Sequence, residues 1–155
     1  MSTNDGRDET DQERMDRKWQ DQLQELRVMQ TGVQLLAGFL LTLPFQGAFA
    51  DLDDVQVGMY LALVCLAAVT TLCVVTPVSV HRRLSGEHAK ERVVAAGQKA
   101  LALAVGGVAL LVVGIVTFIF DVVVDRVVAL AVGGTTLLLA VLLLVVVPQS
   151  LSRDR

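Results

Sequence analysis

Apolar residues gather into long unbroken blocks along this chain instead of alternating with polar ones. Four windows, Val28 to Ala50, Val55 to Val80, Ala100 to Phe120 and Val127 to Val147, together hold 91 residues and none of the 29 charged side chains. An even spread would place about 17 charges there. A water-soluble domain interleaves charge with apolar residues at a period of 2 or 3.6, and these windows do neither. At about 1.5 Å of rise per residue, helices of 21 to 26 residues reach roughly 31–39 Å, enough to cross a hydrocarbon core of about 30 Å. Backbone groups in lipid must bond internally, and barrel strands would be shorter and alternating. The pattern predicts an all-α, integral membrane, up-down four-helix bundle with spans at about 28–47, 55–80, 100–120 and 127–147. This four-span domain, residues 28–148, lies between an N-terminal segment, 1–27, and a C-terminal tail, 149–155.

Proline refines the ends. Pro77 and Pro148 are expected to close the second and fourth spans, where a missing N–H and a ring clash do least harm. Pro44 should stop or kink the first helix within a turn, although its charge-free window runs on to Ala50.

Charge then orients the spans. Twelve of the 13 Lys and Arg lie before Val28, between His81 and Lys99, or after Pro148, and the other two connections hold only Arg126. The positive-inside rule therefore places both termini and the middle loop in the cytoplasm, the expected orientation of a multi-pass membrane protein. The outer connections are short and acidic, carrying Asp51, Asp53, Asp54, Asp121 and Asp125, and read as a solvated rim. Short connections make sequential helices antiparallel neighbours. Ala48-Phe49-Ala50 has the form of a signal-peptidase site, but the 27 residues before Val28 hold five basic and eight acidic side chains. A signal peptide starts short and positive, so an uncleaved first span is expected.

Before the first span, residues 2–12 are polar and acidic and should be disordered. Met15, Trp19, Leu23 and Leu26 then draw a narrow apolar stripe of helical period. This predicts a short cytoplasmic amphipathic helix on the inner surface, with Trp19 as a membrane-interface anchor and anionic lipid headgroups as partners of its basic residues. A plain extension of the first helix is the competing reading.

The most structured signal is on the first span. Gln30, Gln34, Gly38, Thr42 and Gln46 recur at a spacing of four, a slowly turning ridge of polar or small side chains. Amides facing lipid are costly, so the ridge is expected to pack against other helices, with Tyr60, Thr70 and Thr71 as partners and Gly38 admitting a close backbone. Further small-residue seams are Ala102/Gly106, Gly107/Gly114 and Ala129/Gly133. Cys65 and Cys73 sit eight apart on one helix, roughly 12 Å along its axis, too far to bridge each other, and read as buried small hydrophobes.

Candidate chemistry is sparse. His81 and His88 lie near Glu87 and Glu91 without a convergent ligand set, and the outer aspartates lack the glycine and terminal glutamate of a calcium loop. No metal, cofactor or nucleic-acid partner is expected. Ion-coupled transport places a charged or titrating group within the membrane, and none of the four windows has one. Serine-triad, phosphate-loop and metal-helix motifs are likewise missing from the sequence, so the protein is not expected to be an enzyme. The sequence points to a structural or interaction subunit whose partner is a second copy or another membrane protein. The alternative is a passive channel or uncoupled carrier for a small neutral solute, lined by the amide ridge.

Sliding the chain by 71 residues aligns Phe49 with Phe120, Asp54 with Asp125, Pro77 with Pro148, Ser79 with Ser150 and Arg82 with Arg153. A duplicated hairpin would give parallel repeats about an axis along the membrane normal.

Glu25-Leu26-Arg27-Val28, Gly32-Val33-Gln34, the run Phe39-Leu40-Leu41-Thr42-Leu43-Pro44-Phe45, Tyr60, and Pro77 followed by His81-Arg82 form a further set of motifs. In these the chain resembles a family of small bacterial four-helix inner-membrane proteins classed as a domain of unknown function. The resemblance covers most of the chain after Trp19, with its distinctive motifs in the first two helices. It implies a four-span membrane protein and supplies no activity.

Overall fold

The structure, a computed structural model, describes residues 11–83 and 90–153. Four long helices carry it: α1 (Asp11–Thr42), α2 (Asp54–Arg83), α3 (Lys90–Val123) and α4 (Arg126–Val141). Each contains a stretch long and apolar enough to cross a membrane, Leu23–Phe45, Asp54–Thr76, Lys99–Val123 and Arg126–Ser150. The described residues form no strand.

The ends follow local chemistry. Pro44 falls in a short 3₁₀ turn, Leu43–Phe45, directly after α1 ends at Thr42, so the helix stops where the ring requires. A second 3₁₀ turn, Gly47–Asp51, leads to α2. Asp53 caps α2 reciprocally: its carboxylate accepts from the Gln56 N–H at 2.8 Å, and the Gln56 amide oxygen accepts from the Asp53 N–H at 3.0 Å. Asp125 caps α4 by accepting from the N–H groups of Val127 and Val128 at 2.8 and 2.9 Å.

Pro77 and Pro148 do not end their helices, contrary to the expectation from sequence. α2 runs through Pro77 to Arg83, although the proline ring has no N–H to donate. Beyond α4 the chain widens into a π segment, Leu142–Val146, and continues through Pro148 as α5 (Val147–Arg153). The wide turn, closed by the Val147 N–H on the Leu142 carbonyl, carries the helix past the proline ring.

Nor is there a separate amphipathic helix before the first span. α1 is continuous from Asp11, because no Gly or Pro interrupts a run of strong helix formers before Gly32. Leu26 of the stripe is buried and Leu23 half-buried, while the side chains of Met15 and Trp19 lie outside those described. The same holds for His81, for the middle-loop residues 84–89 with His88, and for residues 1–10 of the acidic tail.

Packing follows a seven-residue rhythm. α1 buries Leu26, Val33 and Leu40; α2 buries Tyr60, Leu63, Ala67, Thr70 and Val74 at alternating steps of three and four. On α3 the matching line is Ala100, Ala104, Gly107, Leu111, Gly114, Phe118 and Asp121. A mean repeat of 3.5 keeps a seam facing its neighbour when helices cross at about +20°. One cluster gathers Leu40, Tyr60, Leu63, Ala67, Leu111, Ile115 and Phe118, and a second gathers Leu26, Val74 and Ala104. α2 therefore runs antiparallel to α1 and α3, as short connections require.

The glycines set the closest approaches. A Cβ on Gly107 would strike the Thr70 hydroxyl, and one on Gly114 a Leu63 methyl. A Cβ on Gly133 of α4 would strike the Thr117 hydroxyl of α3. The Gly107/Gly114 and Ala129/Gly133 seams are thus real contacts. Ala102 and Gly106 are not: both are exposed, and Gly106 meets nothing within 4 Å.

The helices do not close into a compact four-membered ring. Among the described residues, α1, α2 and α3 pack mutually, whereas α4 touches no long helix except α3. A two-residue turn, Val124 and Asp125, lays α4 against α3, and the Gly133 contact holds it there. A closed two-fold repeat would pair α4 with α1 as α2 pairs with α3, so the duplication does not extend to the arrangement of the helices. Its register also slips at the caps, where Asp53 serves α2 although Asp54 aligns with Asp125.

Candidate functional site

A polar ridge stands on the outward side of α1. With Val33 turned into the core, a rotation of about 100° per residue carries the ridge from about 60° away at Gln30, through about 100° at Gln34 and about 140° at Gly38, to about 180° at Thr42. Gln30, Gln34, Gly38 and Thr42 are all exposed, and a Cβ on Gly38 would meet nothing within 4 Å. This corrects the expectation that the ridge packs within the chain. Apolar seams at a spacing of seven fill the interior, and the series at a spacing of four is left outside. Gln46 does not belong to the ridge, since it follows the 3₁₀ turn in an extended conformation (φ −89°, ψ 140°).

The partners proposed for the ridge are engaged elsewhere. Tyr60 is buried between Phe49 and Phe118, with ring centroids 5.0 and 6.5 Å away. The Thr70 and Thr71 hydroxyls donate to the carbonyls of Leu66 and Ala67, one turn back on their own helix. Thr117, Thr135 and Thr136 bond in the same way, and Thr42 donates to Phe39 at 2.7 Å. Among the described residues, the side-chain amides of Gln30 and Gln34 have no hydrogen-bond partner. Any solute path along this ridge would need a second chain to wall it.

At the opposite end from the described start of α1, an ionic clip joins the turn before α2 to the turn between α3 and α4. Arg126 Nη2 lies 2.8 Å from Asp53 Oδ2, and Arg126 Nε lies 3.0 Å from Asp121 Oδ1. The Gln56 side-chain amide adds a bond to the Asp121 carbonyl at 3.2 Å. The Asp121 side chain is only 3% exposed, so this is a partly buried pair and not the solvated rim expected from sequence. The bond from the Gln56 N–H, with help from the Arg126 guanidinium, holds the Asp53 carboxyl below the usual carboxylate range against an opposing desolvation effect. The one signal for this clip was that Arg126 is the lone basic residue of either outer connection.

Both cysteines are free, Cys65 exposed and Cys73 half-buried, so the expectation of two buried thiols fails for Cys65. The described residues contain no group of three potential metal ligands. An open groove of about 540 Å³ runs between α1 and α3, lined by Asp21, Gln24, Glu25, Val28, Met29, Leu101 and Val105.

The sequence profile of a family of unknown function matches residues 8–148. The chain belongs to that family, DUF6328. The DUF6328 match takes in the residues of the amide ridge, the glycine seams and the ionic clip. No curated protein and no solved structure matches the chain.

Proposed function

We propose that this DUF6328 protein is an integral protein of the bacterial inner membrane, with four spans and both termini in the cytoplasm. It works without catalysis, as a structural or interaction subunit. The charge-free stretches support the spans, and the segregation of Lys and Arg supports the orientation. The observation that carries the interaction role is the outward pair of unpaired amides, Gln30 and Gln34. Gln34 lies midway along the apolar stretch Leu23–Phe45, at the depth where an unsatisfied amide is most costly. A protein partner that bonds those amides removes that cost.

Solute flux in proteoliposomes tests this reading. A subunit of this kind gives no flux of small neutral solutes above empty vesicles. Flux that Gln34→Leu abolishes while the protein remains folded would establish the channel reading instead.

A further inference from the structure

The geometry points to a second copy of this chain as the partner of the α1 ridge, in a parallel two-fold dimer centred on Gln34 and Gly38. This rests on the interaction role proposed above and gives it an occupant. Copies inserted with the same orientation present Gln34 at the same depth, and a two-fold axis along the membrane normal brings each Gln34 to its counterpart. A primary amide carries both donors and an acceptor, so two facing amides satisfy each other without another residue type. An unrelated partner would have to place a polar group at that depth; a second copy does so by construction. Two-fold contact uses one patch twice and closes at two subunits.

Backbone approach is provided for. Gly38 follows Gln34 by one ridge step and meets only open space, and Thr42, the next step, is already bonded to its own helix. Leu35, 71% exposed, and Phe39, 45% exposed, flank this line and supply the apolar part of the contact. The spacing also selects the crossing. Ridges at a spacing of four interdigitate at a right-handed angle of about −40 to −50°, opposite in hand to packing on the seven-residue seams inside the chain. The ridge is therefore geometrically distinct from the faces that fold the monomer.

Cysteine cross-linking in lipid vesicles, on full-length protein with Cys65→Ala and Cys73→Ala, tests the dimer. Oxidation should couple Gly38→Cys to itself and leave Leu138→Cys, on the exposed side of α4, monomeric. In parallel, single-molecule photobleaching across a dilution series in lipid should show dimers that Gln34→Leu and Gly38→Ile each weaken by about tenfold. Because Gly38 has no neighbour within the chain, Gly38→Ile should unfold at the same temperature as the parent, so its loss of dimer reports the interface and not the fold. A parent protein that is monomeric at every dilution would overturn the dimer, as would dimers indifferent to both substitutions. A monomer that still binds another membrane protein would overturn the dimer and leave the interaction role standing; solute flux sensitive to Gln34→Leu would overturn that role.

Discussion

Arg126, the first residue of α4, reaches across to Asp53, the cap of α2, and holds its carboxylate at 2.8 Å. The same guanidinium binds Asp121 at the end of α3, so one side chain ties three helix ends together. Removing it leaves the shielded Asp121 carboxylate without its cation, which is costlier than losing a fully exposed pair. Arg126→Gln should lower the midpoint of thermal unfolding in detergent more than Asp53→Asn does. Equal midpoints for parent and Arg126→Gln would show that the clip is not a structural tie.

The clip also gives stability a pH dependence. The folded Asp53 carboxyl titrates below its unfolded value, so its contribution is complete above the usual carboxylate range and is lost as pH falls through the depressed value. Between neutrality and about pH 5 the unfolding midpoint should be insensitive to this group. Further acidification should lower the midpoint more steeply for the parent than for Asp53→Asn, which cannot titrate there.

The glycine seams separate by what lies opposite. Thr70 and Thr117 are stiff β-branched side chains whose hydroxyls are committed to Leu66 and Val113, so they cannot turn away from an added methyl. Gly107→Ala and Gly133→Ala should each destabilise by about 1–3 kcal/mol, measured by unfolding in mixed micelles. Gly114 faces a flexible Leu63 methyl, and Gly114→Ala should cost less. Gly106→Ala and Gly134→Ala meet open space inside a helix and should be neutral or stabilising by up to about 1 kcal/mol.

Asp125 accepts two backbone N–H groups at the start of α4, a helix packed, among the described residues, against no long helix except α3. Asp125→Ala should cost about 0.5–2 kcal/mol and Asp125→Asn much less, since an amide oxygen can still cap. Hydrogen exchange at Val127 and Val128 should rise in the alanine variant and stay near the parent rate in the asparagine variant.

The starts of α2 and α4 were legible in the sequence because charge and caps mark them. α2 and α4 begin at Asp54 and Arg126, each one residue before its charge-free window. Pro44 was legible for the same reason. The inward face of α1 was harder to read, because two periodicities share one helix. Leu26, Val33 and Leu40 repeat every seven residues and the amides every four; the cost of an amide in lipid favoured burying the second set, whereas packing used the first. A monomer can leave such a ridge outside when something beyond the monomer satisfies it. The Arg126 clip was hidden because Asp53 lies 73 residues away in sequence, and only the antiparallel run of α2 and α3 brings the turn before α2 beside the turn between α3 and α4.

In the proposed arrangement the charge-free stretches cross the bilayer with both termini inside. Labelling single cysteines in intact cells with a membrane-impermeant maleimide, in the Cys65→Ala and Cys73→Ala background, reads this directly. Asp51→Cys and Val124→Cys should label in intact cells, and Gln12→Cys and Ser152→Cys only after the membrane is opened. Labelling of Gln12→Cys in intact cells, or protection of both outer-turn positions, would contradict the account.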